Sequence, residues 1–178
     1  MSLHVWRHPK PMAALGLCVG RTDLPIDRRK AKRLAHRIRA HARSHCLSRS
    51  VVTSRLQRSA AVGRMLKLWG WRHSIDPRLD EFDFGVWDGR PWAEIAPGEL
   101  DAWSEDLSAY RAGGAESVSG LLERCLAFIA ENSGSERCIV GHAGWISAAC
   151  WLQAHGGAAP QASSWPVAVP YGCKVTLG

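Results

Sequence analysis

The chain has 178 residues, 46% apolar and 22% charged, with a formal net charge of +7. These values fit a single folded domain, expected to span 1–178, and exclude a disordered or collagen-like chain; no apolar run approaches the roughly 18 residues of a membrane span. The positive excess is concentrated between Arg28 and Arg49, which favours anionic partners: nucleic acid, a membrane surface or small anionic substrates.

The first predicted element is a strand, Leu3-His4-Val5-Trp6, running into Arg7-His8 and stopped by Pro9. A strand end is a rigid platform, and the loop beyond it is open to a ligand. Arg7 brings a fixed charge and a planar fork of donors suited to phosphate oxygens. His8 can act as a neutral nucleophile near pH 7. The pair points to phosphoryl transfer through a phosphohistidine; a strand that merely ends in two polar residues is the plainer alternative. His4, Arg7, His8 and Lys10 stand where a signal peptide needs an apolar core, so no such peptide is expected.

Pro9 to Asp27 reads as a loop, with Gly20-Arg21-Thr22 offering donors to an anion or forming plain surface. Arg28 to His45 reads as a helix, because Ala31, Leu34, Ala35, Ile38 and Ala42 recur at helical spacing with basic residues between them. That basic face could touch RNA, but no aromatic residue is interleaved with the charges, which favours a solvated face. Ser50 to Ser54 is a short β-branched strand delivering Arg55 and Arg58 into a helix that runs to about Trp69. A helix start is a favourable place for an anion, and Arg58 is the natural second clamp on a phosphate.

Asp80, Glu81 and Asp83 lie among apolar and aromatic neighbours, where lost solvation raises a carboxyl pKa, as a proton donor requires. Spacing alone does not choose among the three. Leu100–Ala112 and Ser117–Asn132 read as helices. Arg137 to Gly141 is a third strand, ending in His142, and Ala143-Gly144 permit a turn into a helix beginning near Trp145. Gly156 to Pro170 reads as loop and Tyr171 to Leu177 as a last strand. Strands separated by helices imply parallel pairing, an α/β fold, and one crevice at the strand carboxyl ends collecting Arg7, His8, Arg58 and His142. The six cysteines show no C-x-x-C pair or zinc spacing and read as reduced thiols of a cytoplasmic protein. Nine tryptophans, several beside these motifs, hint at an aromatic-lined pocket.

Taken in order, Arg7-His8, Gly20 to Pro25, Ser54 to Arg58, Leu79 to Gly89 and Val140 to Gly144 resemble the motifs of the histidine phosphatase superfamily across nearly the whole chain. The resemblance implies a phosphoglycerate-mutase-like, three-layer α/β/α sandwich with a mostly parallel central sheet. Within the superfamily the chain looks most like α-ribazole phosphatases of cobalamin synthesis, through Arg7-His8-Pro9, the Gly16 to Asp23 loop and the Trp-rich Gly89 to Trp103 segment.

The roles that follow from the resemblance are residue-specific. His8 attacks phosphorus; Arg7, Arg58 and His142 hold the phosphoryl oxygens; Glu81 protonates the leaving oxygen. Arg21, Thr22 and Ala143 contact phosphate or substrate, and Glu116 and Ser117 resemble a ligand loop interrupted by Ala115. No metal or other cofactor is implied. Three departures stand out: Arg55 for the usual proline, expected to add charge near the mouth, Ala143 for glycine, and Asp88 for glutamate.

The expected partner is a small phosphorylated substrate, with no nucleic acid and no membrane. Oligomeric state is left open, a homodimer among the choices. Competing readings are a broad-specificity small-molecule phosphatase, a phosphoglycerate-mutase-like mutase, and an RNA- or protein-binding module using the Arg28–Arg49 face.

Overall fold

A computed structural model describes residues 2–178. Among these residues five strands form one sheet: β1 (Leu3–Arg7), β2 (Ser50–Thr53), β3 (Arg72–Ile75), β4 (Arg137–Gly141) and β5 (Lys174–Leu177). Their order is β3-β2-β4-β1-β5, all parallel except β5, which pairs antiparallel with β1. The helices are α1 (Arg28–Ser44), α2 (Gln57–Leu68), α3 (Pro97–Glu105), α4 (Val118–Glu131) and α5 (Ala143–His155). The three-layer α/β architecture expected from the sequence is the one observed.

Period-two alternation along the strands divides the core. Val5, Val52 and Ile139 point to one face, where α4 and α5 cover them with Leu121, Phe128, Trp145 and Ile146. Trp6, Val51 and Val140 point to the other, against Leu34, Ile38, Val62 and Leu66 of α1 and α2. The apolar stripe of α1 is the one its spacing predicts, and Asp27 caps the helix by accepting the Arg29 backbone N–H at 2.7 Å.

Several boundaries move. The helix expected over Leu100–Ala112 starts at Pro97, where a proline suits the first turn, and ends at Glu105. Asp106 follows in a non-helical conformation and its carboxylate accepts the Ala109 N–H at 3.1 Å, a local bond that competes with helix continuation. The fifth helix begins at Ala143, directly after His142, not near Trp145. The last strand begins at Lys174, so Tyr171 lies in the turn before it. Strand β3 was not anticipated: Arg72-His73-Ser74-Ile75 lacks an apolar alternation because it is a largely exposed edge strand.

Gly85 and Gly113 bring two loops together. Both have positive φ, and a Cβ on Gly85 would fall 2.1 Å from the Gly113 carbonyl oxygen. This contact fixes the segment after Glu81 against the turn that precedes α4.

Candidate active site

The parallel register of β1 and β4 pairs Arg7 with Gly141, so His8 and His142 leave the sheet side by side. The His8 N–H donates to the Gly141 carbonyl at 3.0 Å and locks this arrangement. The two rings lie 4.8 Å apart, and both are buried. Strand β2 brings Ser54 to the same level, where its hydroxyl sits 2.6 Å from His142 Nε2.

The His8 Nδ1 lies 2.8 Å from the Pro9 carbonyl oxygen. A carbonyl only accepts, so this bond places the proton on Nδ1 and leaves Nε2 with a free lone pair. Burial, followed by the charges of Arg58 and Arg7, pushes the His8 pKa down to about 3. The ring is therefore neutral through the physiological range. His142 is also held well below the ordinary imidazole value, by burial first and then by His8 and the neighbouring guanidinium groups.

Two arginines flank these rings. Arg7 donates through Nη1 to the Val169 carbonyl at 2.7 Å, and its guanidinium lies 3.8 Å from the centre of the Tyr171 ring. Arg58 is buried at the start of α2 and donates to the carbonyls of Thr22, at 2.7 Å, and Gly20. Two buried nitrogens of the cluster, Arg7 Nε and His142 Nδ1, have no partner among the described residues, and such atoms call for a ligand.

Glu81 is the acid that reaches this site. Its Oε1 accepts the N–H groups of Phe82 and Gly144, each at 3.0 Å, and burial raises its pKa. The other two acids are committed elsewhere. Asp80 is buried and binds Arg55 through the backbone N–H at 3.1 Å and through Nε at 2.9 Å. The extra charge expected from Arg55 near the mouth is therefore neutralised by an acid beneath it. Asp83 caps Gly85 and pairs with Arg21 at 3.2 Å.

Arg21 and Thr22 have a different place from the one expected. Asp88 accepts the Gly20 N–H at 3.0 Å, the Thr22 N–H at 2.9 Å and the Thr22 hydroxyl at 2.7 Å, as well as the Arg21 N–H. The donors of this loop are turned onto a protein carboxylate, which braces the loop that Arg58 also holds. Glu116 is likewise internal: it accepts the Asp83 N–H at 3.0 Å and pairs with Arg124 at 2.6 Å. Ser117 is the N-cap of α4. Ala143 is placed at the cleft, beside Gly144.

Sequence reasoning missed three residues. Arg124 donates to the carbonyls of Arg78, Asp80 and Glu81 at 2.8, 2.6 and 3.2 Å, fixing the backbone that carries the acid. Asp88 was seen only as a departure from glutamate. Tyr171 covers Arg7 and lies 5.6 Å from the His8 ring. Arg124 stands beside the buried face of α4, which Val118, Leu121, Leu122, Cys125 and Phe128 form.

The cleft in front of these groups holds about 230 Å³ and is walled by Arg7, Glu81, Phe84, Trp92, Ala143 and Tyr171. The aromatic lining hinted at by the tryptophan count thus comes from Trp92 with Phe84 and Tyr171, while Trp87 and Trp145 are core.

Solved structures share this fold. The protein TTHB049 from Thermus thermophilus aligns at 25% identity and TM-score 0.73, covering 99% of this chain and 92% of that one. A mycobacterial glucosyl-3-phosphoglycerate phosphatase complexed with VO3 aligns at 24% identity and TM-score 0.78, with coverage of 99% and 92%. An Escherichia coli K-12 protein described as a candidate alpha-ribazole-5′-P phosphatase aligns at 23% identity and TM-score 0.79, covering 99% and 89%. No curated protein matches the sequence. The sequence model of the histidine phosphatase superfamily (branch 1) matches residues 3–176, and this chain, with paired histidines at the ends of β1 and β4, belongs to that superfamily and is a phosphatase.

Proposed function

We propose that the protein hydrolyses a small phosphomonoester through a phosphohistidine, with α-ribazole 5′-phosphate as its substrate. The observation that carries the chemistry is the pinned tautomer of His8: Nδ1 donates to Pro9, and Nε2 is a neutral nucleophile in a buried, cationic setting. Nε2 attacks phosphorus in line, and the bond to the leaving oxygen breaks. The protonated Glu81 carboxyl gives its proton to that oxygen, a role suited to an acid whose pKa burial has raised. Arg7, Arg58 and the unpartnered Nδ1 side of His142 stabilise charge on the equatorial oxygens. In the second half, the Glu81 carboxylate takes a proton from water, the hydroxide attacks phosphorus, and the His8–phosphorus bond breaks to release phosphate.

The substrate assignment is supported by the motif resemblance, by the aromatic cleft walls, which suit a planar base, and by the likeness to the Escherichia coli protein. The deciding experiment measures phosphate release from α-ribazole 5′-phosphate and from an aryl phosphate, with chelator present, for wild type and His8→Ala. Preference for α-ribazole phosphate, lost in the variant, supports the whole reading. Turnover of the aryl ester alone removes the substrate assignment, and transfer of phosphate to a second metabolite in place of release would show a mutase.

A further inference from the structure

Beside the cleft runs a second groove of about 310 Å³, lined by Lys10, Lys30, Arg33, Arg37, Tyr171 and Gly172 among others. Tyr171 belongs to both walls: it faces Arg7 and His8 on one side and this groove on the other. Lys10 follows His8 by two residues, and Lys30, Arg33 and Arg37 project from one face of α1 at spacings of three and four. Among the described residues, none of these four cations is in an ion pair.

The charges are also placed against local preference. Behind the Asp27 cap, the first turn of α1 is Arg28-Arg29-Lys30 with no further acid, although a helix start favours negative charge. Repulsion within the cluster adds to this cost. A local conflict that the rest of the fold tolerates marks a place where something else selects the residues. Four cations line this groove, and none of them is in an ion pair among the described residues, so the groove selects for an anion.

We propose that this groove is a second anion subsite, taking a carboxylate or phosphate carried by the same substrate whose monoester is cleaved at His8. The inference rests on the phosphatase reading of the neighbouring cleft. It extends the substrate class beyond α-ribazole 5′-phosphate to phosphomonoesters bearing a second anionic group. α-Ribazole 5′-phosphate carries a single anionic group, so doubly anionic esters gain an interaction that it lacks. A small ligand is favoured over a polymer because the groove is only about 310 Å³ and shares Tyr171 with the catalytic cleft.

The test compares matched esters: propyl phosphate with propanediol bisphosphate, and the butyl to hexyl pairs, on wild type and on Arg33→Gln/Arg37→Gln. Both arginines are exposed on α1, and glutamine is a good helix former, so the variant keeps the fold. For at least one spacer, kcat/KM for the bisphosphate exceeds that of the monoester by about tenfold after correction for its two ends, the worth of one charge-assisted hydrogen bond. The variant loses that advantage, while monoester kcat/KM stays within about twofold, the change expected from weaker steering alone. Equal loss on both esters overturns the proposal, because the cations then act only by long-range attraction. So does a wild type with no preference at any spacer, or single-stranded RNA binding that depends on the two arginines without a bisphosphate advantage.

A separate arm keeps the two readings apart. Calorimetry measures binding of hexane bisphosphonate and hexyl phosphonate, which cannot be hydrolysed. Tighter binding of the bisphosphonate that needs Arg33 and Arg37 supports the subsite even if no ester is turned over, in which case the hydrolytic reading alone fails. Equal binding of the two phosphonates sinks the subsite.

Discussion

His8 and His142 follow adjacent parallel strands in one register, yet their rings are tied down at different nitrogens. His8 is held through Nδ1 by a backbone carbonyl, which can only accept, so its Nε2 is free as a base or nucleophile. His142 is held through Nε2 by the Ser54 hydroxyl at 2.6 Å, a group that can donate or accept. When the hydroxyl donates, the His142 proton sits on Nδ1, which has no partner among the described residues. Two residues of one type, a few ångströms apart, are thus prepared for opposite tasks. The neighbouring bond sets the role, and residue identity does not.

The sharpest way to break this comparison is to remove each ring. His8→Ala is expected to abolish both turnover and the acid-labile phosphoenzyme seen with radiolabelled substrate. His142→Gln is expected to lower kcat by about 10²–10³-fold, the loss seen when one oxyanion donor is removed, while label still accumulates on His8. Label on the His8→Ala protein would show that the two rings are interchangeable.

Glu81 comes next. Glu81→Gln is expected to lower kcat by about 10²–10⁴-fold with alkyl esters and less with aryl esters, whose leaving groups need little protonation. Burial raises the Glu81 pKa above its usual value, and the protonated form is the donor. The alkyl-ester rate of the wild type should therefore fall as pH rises through that raised pKa, and the variant should lose this limb. An unchanged pH profile would assign the limb to another group.

Gly144 links the acid to the second histidine. A Cβ there would stand 2.6 Å from Glu81 Oε1, so Gly144→Ala must shift either the helix start or the carboxylate. Misplacement of about 1 Å costs roughly 10²-fold in rate. Steady-state kinetics should show the loss in kcat, with urea stability little changed.

The smallest effect is on stability. The native pKa of His8 lies near 3 and that of His41 near 4; His4 and His142 are lowered as well, all from an unfolded value of 6.5. Below about pH 6.5 the unfolded chain binds protons that the folded chain refuses, so stability is full above that pH and falls as pH drops toward 4 and 3. Urea midpoints measured from pH 7.5 to 4.5 should decline steadily. In His8→Asn the decline should be shallower, and an identical slope would mean that His8 contributes nothing to it.

Much of the scaffold was legible because its signals are short-range. Short apolar or β-branched runs marked β1, β2 and β4, and helical spacing in Ala31 to Ala42 marked α1 with its buried stripe. Strand β3 was missed because an exposed edge strand needs no such run, and α3 was displaced because a single aspartate side chain, Asp106, outweighs propensity at its end.

The sequence by itself determined that Arg7-His8 and His142 stand at strand ends, since each is preceded by residues that make a strand and followed by one that breaks or turns it. Spacing left three acids, Asp80, Glu81 and Asp83, as equals, and only the motif resemblance chose Glu81. The tertiary structure gives the three different surroundings, supplying Arg55 to the first, two backbone N–H groups in a buried cleft to the second, and Arg21 to the third. Tertiary contacts likewise turned Asp88 onto the Gly20–Thr22 loop and set Trp69 beside the basic helix, its ring 4.5 Å from His36 and 5.7 Å from the Arg39 guanidinium. Periodicity reports which face of an element is buried. It carries no record of which distant side chain will lie opposite, because that is settled by strand order and register across dozens of residues.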